Sequence, residues 1–196
     1  MTALAGAFWM IQDQPATRLG TGAGVSLLPM ASSTTPVNRE PAVATRVPVK
    51  AGQWTSIVIH HSATMAGTPS TIEAAHKAQG LAGLGFHFVI GNGNGLDDGE
   101  LFVSPRWLQQ LPGAHVAGER SAEWNRESIG ICLVGDGRKR RFTDQQLAQL
   151  VRLVSSLSDE LKIPKTRVLL HSDLARVDDP GRFFPKSEFA EQLRGR

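Results

Sequence analysis

Trp54-Thr55-Ser56-Ile57-Val58-Ile59-His60-His61 is the stretch on which the fold of this chain turns. Apolar and β-branched residues dominate from Trp54 to His60, which predicts a buried strand with imidazoles at its end. Phe86 to Ile90, Leu101 to Val103, Ile129 to Val134 and Arg167 to Leu170 read as further strands. Helical patterns lie between them. Ser70-Thr71-Ile72-Glu73 has the form of a capping box and predicts the start of a short helix that Gly80 closes. Thr143 to Gln146 repeats the device. There Leu147, Leu150, Val151, Val154, Leu157 and Leu161 recur at helical spacing and form one apolar stripe before Pro164. A last short helix is expected over Ser187 to Leu193. Five strands alternating with helices give an α/β (mixed α+β) class, a central mixed sheet flanked by helices.

Upstream of this framework the composition shifts near Lys50. Residues 1–50 are rich in Ala, Gly, Ser, Thr and Pro, and Pro15, Pro29, Pro36, Pro41 and Pro48 interrupt any continuous element. They read as an irregular linker or targeting tail, which leaves residues 51–196 for one domain. Ala3 to Ile11 are apolar like the core of a signal segment, but no basic stretch precedes them and Asp13 follows closely. Gly20, Gly22 and Gly24 lack the preceding strand, the following helix and the Lys-Ser/Thr pair of a phosphate loop.

With 196 residues, 41% hydrophobic and 20% charged, the chain is unlike collagen-like, wholly disordered or membrane-embedded classes. No stretch is long enough to span a bilayer. The single cysteine, Cys132, excludes an internal disulfide and a thiolate-rich zinc finger, so any metal must be held by histidine and carboxylate. The net charge is +3 and the bases are scattered among acids; neither a nucleic-acid partner nor an oligomer is expected.

Candidate chemistry falls at the strand ends. Adjacent residues on a strand point to opposite faces, so of His60 and His61 one should bind and the other should pack or face solvent. His171 ends the last predicted strand, and Pro180 and Gly181 turn the chain directly after Asp179. Two histidines and an aspartate can thus converge. Three nitrogen and oxygen ligands with an open fourth position are the pattern of a catalytic rather than a structural zinc site.

Further segments extend this pattern over residues 54–185. They are Ile57 to Thr64, Gly85-Phe86-His87-Phe88-Val89-Ile90-Gly91, Gly113-Ala114-His115, Asn125, Ser128 to Gly135, His171-Ser172-Asp173 and Asp179-Pro180-Gly181. In order and spacing they resemble the zinc-dependent N-acetylmuramoyl-L-alanine amidases of the peptidoglycan recognition protein and phage lysozyme-type superfamily. The resemblance implies that fold, one Zn2+ ion, and hydrolysis of the amide joining N-acetylmuramic acid to L-alanine in peptidoglycan or muropeptides. It places the metal ligands at His60, His171 and Asp179 and leaves His61 outside the set. It also implies action in the cell envelope, periplasmic or secreted. A recognition module of the same fold that binds peptidoglycan without cleaving it is the alternative.

Where similar phage-type enzymes carry a tyrosine this chain has Phe86, and where they carry a lysine it has Val177. Another branch places a glutamate at the position of Cys132, which here reads as a small buried residue. The catalytic candidates are then His115 and Asp178, with Arg176 as a further polar neighbour, and Phe86, His115 and Asn125 are expected to bind substrate. His87 is expected to be structural, and His76 exposed on the first helix. Asn92 to Gly99 reads as a hairpin loop and not a calcium loop, because it lacks alternating oxygen ligands and a closing glutamate. Arg138 to Arg141 reads as a solvated basic loop able to meet an anionic polymer, and Trp107 and Trp124 as sugar-stacking or packing residues.

Overall fold

A computed structural model describes residues 44–195. The tail assigned to residues 1–50, with its apolar start and glycine cluster, lies outside the described residues apart from 44–50. Five strands form one sheet in the order β3-β2-β4-β1-β5. They are β1 (Ser56–His61), β2 (Phe88–Ile90), β3 (Leu101–Val103), β4 (Ser128–Leu133) and β5 (Val168–Leu170). β1 runs parallel to β4 and β5, and β2 parallel to β4. Only β3, joined to β2 by the hairpin loop over 91–100, is antiparallel. β1 and β4 are buried along their whole length, which is why they read as near-continuous apolar runs.

The helices are α1 (Pro69–Ala78), α2 (Pro105–Leu108), α3 (Ser121–Glu127), α4 (Asp144–Leu161) and α5 (Lys186–Arg194). Ile57, Ile59, Ile129, Ile131 and Leu133 form a common core with Leu150, Leu153 and Leu157 of α4 and Phe189 and Leu193 of α5. A second, smaller core joins Val89, Cys132 and Val134 to Phe86, Leu84 and Ile72 of α1. His60 is the register partner of Cys132, and Cys132 of Val89, so these three residues cross the sheet side by side. One of the ligand candidates is therefore rooted in the middle of the sheet.

Several boundaries differ from the sequence expectation. The box that opens α1 begins at Thr68 and not Ser70: Thr68 Oγ1 accepts the Thr71 N–H at 3.1 Å, and Thr71 Oγ1 accepts the Thr68 N–H at 2.8 Å. Pro69 presets the first helical φ, which fixes the start there. Glu73 instead pairs with Lys77 one turn on, at 2.7 Å. The box at Thr143 and Gln146 forms as read. β2 starts at Phe88 and not Phe86, and at its start the Gly130 N–H is taken by the His87 ring instead of a backbone carbonyl, at 3.0 Å. His76 is half-buried rather than exposed, its Nδ1 accepting the Gly85 N–H at 2.9 Å. Trp107 is fully buried and Trp124 half-buried.

Candidate metal centre and active site

The candidate site lies at the carboxyl ends of β1 and β5, where main-chain groups leave the ladder and loops turn back over the sheet. His60 projects from the penultimate position of β1 beneath Phe86, with ring centroids 5.2 Å apart. His171 follows β5 directly and opens a short 3-10 turn, which Asp173 ties down by accepting the Leu170 N–H at 2.8 Å. The chain then loops out and returns, because the Ser172 N–H donates to the Asp179 carbonyl at 2.8 Å. After the cis Asp179–Pro180 bond, Gly181 takes φ +95°, and a Cβ there would stand 2.3 Å from the Gly137 carbonyl carbon. The turn carrying Asp179 is in this way packed on the loop that follows β4.

One donor atom from each of His60, His171 and Asp179 lies within 4.8 Å of the others. Asp179 Oδ2 is 2.9 Å from His60 Nδ1 and 2.7 Å from His171 Nδ1. Its other oxygen, Oδ1, accepts the main-chain N–H of His61 at 2.7 Å, which aims Oδ2 at the imidazoles. Burial alone would push the Asp179 carboxyl up, but the His171 and His60 rings at hydrogen-bonding distance overcome this and hold it well below the usual carboxylate range. Burial pulls the pKa of His60 down. A neutral imidazole and an ionised carboxylate are the forms a divalent cation requires.

The arrangement of protons makes the fit sharper. A carbonyl oxygen can only accept, so His115 Nε2, 3.3 Å from the Ser128 carbonyl, carries the hydrogen of that ring. In that tautomer His115 Nδ1 accepts from His60 Nε2 at 3.0 Å, and His60 Nδ1 faces Asp179 as a lone pair, the form a metal ligand requires. A lone pair facing a carboxylate oxygen at this distance is repulsive without a cation between them. The donor set therefore suits a metal of the zinc type, two imidazole nitrogens and one carboxylate oxygen. His171 Nε2 is buried with no protein partner among the described residues.

His61 lies outside this set, its Nε2 3.9 Å from Asp179 Oδ1. Its Nδ1 accepts the Gly137 N–H at 3.1 Å, on the loop beneath Asp179. Of the other sequence candidates, His115 is buried against His60, and Asn125 brackets its backbone: Asn125 Oδ1 accepts the N–H groups of His115 at 2.8 Å and Val116 at 2.9 Å. Phe86 lines a cavity of about 180 Å³ together with His61, Ser62, Thr71, His76 and Gln79. Asp178, Arg176 and Val177 are exposed on the loop before Asp179. Cys132 is buried beside His60, and burial pushes its thiol up well above the ordinary range, so it is inert as an acid or base at neutral pH. His87 is enclosed as expected, donating from Nε2 to the Leu111 carbonyl at 3.0 Å. Arg138 and Lys139 of the basic run both pair with buried Asp136, at 2.8 and 3.3 Å. Sequence reading did not foresee that Gly113, Gly130 and Gly137 leave room for neighbouring groups.

A mixed sheet thus carries a His-His-Asp cluster at the ends of two of its parallel strands. Residues 50–182 match the family described as N-acetylmuramoyl-L-alanine amidase, and the chain belongs to that family. Endolysin of Klebsiella phage KP32 is 31% identical over 160 residues, 74% of this chain and 95% of that protein. Endolysin of Enterobacteria phage K11 is 30% identical over 134 residues, 64% of this chain and 80% of that protein. Among solved structures, N-acetylmuramoyl-L-alanine amidase LysC from Clostridium intestinale superposes with a TM-score of 0.62 at 26% identity, over 77% of this chain and 97% of its own. Bumblebee PGRP-SA shares the fold, with a TM-score of 0.56 at 19% identity over 72% of this chain and 88% of its own.

Proposed function

We propose that this chain is a zinc-dependent N-acetylmuramoyl-L-alanine amidase that cleaves the amide between N-acetylmuramic acid and L-alanine in peptidoglycan or muropeptides. Residues 51–196 are the catalytic domain and residues 1–50 the linker or targeting tail. The observation that carries the reading is the convergence of His60 Nδ1, His171 Nδ1 and Asp179 Oδ2. These three residues would hold the ion. When bound, zinc supplies Lewis acidity, polarising a carbonyl oxygen and making water acidic near neutral pH.

The remaining residues divide the other tasks. Phe86 walls the site on the α1 side and presents an apolar face to substrate, while His76 and Gln79 supply polar groups in the adjoining cavity. Neither Phe86 nor Val177 can move a proton, and the chain contains no tyrosine. Asp178, exposed beside the third ligand, is the carboxylate placed to take a proton from water and give it to the leaving amine. Asn125 acts on the site through the backbone of the His115 loop. The substrate places the protein where the wall is, as the endolysin relatives suggest, and no helix among the described residues is long and apolar enough to cross a membrane.

The test is to incubate zinc-loaded and chelator-treated protein with muropeptides and assay newly freed L-alanine amino groups. Release by the zinc form, its loss on chelation and its return with added zinc are expected. His60→Ala, His171→Ala or Asp179→Ala should each abolish release and lower zinc content. Phe86 and Val177 favour one other reading, a peptidoglycan-binding module. Zinc-bound protein that holds muropeptide and frees no amine would establish that reading in place of the enzyme.

A further inference from the structure

His115 is buried beside His60. Its ring fills a slot made by two glycines: a Cβ on Gly113 or on Gly130 would stand 2.4 Å from His115 Cδ2. The slot fixes the ring plane, and the Asn125 side chain fixes the backbone that enters it. Within the slot each ring nitrogen meets one partner, the Ser128 carbonyl at Nε2 and the His60 ring at Nδ1.

We infer that His115 is a positioning residue: by directing its own N–H to the Ser128 carbonyl, it keeps the proton of His60 on Nε2 and presents His60 Nδ1 bare to the metal. This inference rests on the reading of His60, His171 and Asp179 as a metal site. It replaces substrate contact by His115 with an action exerted through His60. The opposite tautomer of His60 would put a hydrogen on the metal-facing nitrogen. It would also require His115 to turn a lone pair on a carbonyl oxygen, leaving two buried acceptors facing each other. His171 has no such brace, so the tautomeric control is exerted on one of the two imidazole ligands.

The experiment measures zinc affinity by competition with a chromophoric chelator for wild type, His115→Ala and His115→Asn. It is paired with ring-nitrogen NMR shifts of His60 and His115 in the zinc-loaded wild type. His115→Ala should bind zinc about 10–100-fold more weakly. His115→Asn keeps an acceptor oxygen facing His60 Nε2 and should recover most of that loss. The wild-type spectrum should show His60 protonated at Nε2. Zinc affinity unchanged in His115→Ala, or a His115 protonated at Nδ1 in the zinc-loaded wild type, would overturn the inference while leaving the metal site standing. A folded wild type that binds no zinc at all would overturn the metal reading itself. Should His115→Ala fail to fold, His115→Asn and the wild-type tautomer decide the matter.

Discussion

At position 130 the absence of a side chain matters more than any side chain nearby. Gly130 sits in β4 opposite Val58, and its missing Cβ is the space in which the His115 ring lies. Gly130→Ala should expel that ring from its slot, costing about 1–3 kcal/mol of overpacking and weakening zinc binding at the same time. Urea unfolding in chelator and a zinc titration read the two effects separately; a stable variant with unaltered zinc affinity would remove the slot from the account. The candidate ligands could be singled out in the sequence as strand-end histidines and an aspartate before Pro-Gly, and the family resemblance joined them into one set. The slot could not be. Gly130, which admits a ring from 15 residues away in sequence, carries no local signal of that role.

Among the elements, α4 shows how local chemistry and tertiary anchoring meet in one residue. Gln146 closes the capping box with Thr143, and its side-chain N–H2 also donates to the carbonyls of Ile90 at 3.1 Å and Val134 at 2.9 Å. The helix start is thereby pinned to the ends of β2 and β4, next to the loop on which the Asp179 turn rests. Thr143→Ala removes the hydroxyl that accepts the Gln146 N–H and should cost about 1 kcal/mol. In a chain of this size that is a fall of about 2–4 °C in Tm, measured by calorimetry; an unchanged Tm would mean the cap is dispensable. The box at α4 was legible because its spacing and the stripe behind it agree. At α1 two overlapping hydroxyl patterns compete, and the proline at position 69 settles the start in a way residue spacing alone did not show.

Taken whole, the molecule keeps several imidazoles neutral in its interior, and this has a pH signature. Burial lowers the pKa of His87 from 6.5 to about 4. Above pH 6.5 the folded and unfolded forms bind equal numbers of protons at this residue. Between 6.5 and 4 the unfolded form binds more, so stability is lost as pH falls, by up to about 3 kcal/mol from this group. The urea midpoint should therefore drop between pH 7 and pH 4.5, and His87→Gln should flatten the slope; an equal slope in both proteins would refute the assignment. The order of the strands was not legible in the sequence, because parallel pairing of β1 with both β4 and β5 depends on contacts between distant segments. That order also separates the proposed ligands along the chain: His60 and Asp179 lie 119 residues apart and meet only when the sheet is complete. The exposed stretch over residues 117–120 falls between them. A backbone cut there would yield two fragments, one carrying a single ligand and the other two, so that neither could hydrolyse alone and recovered turnover would report their reassembly.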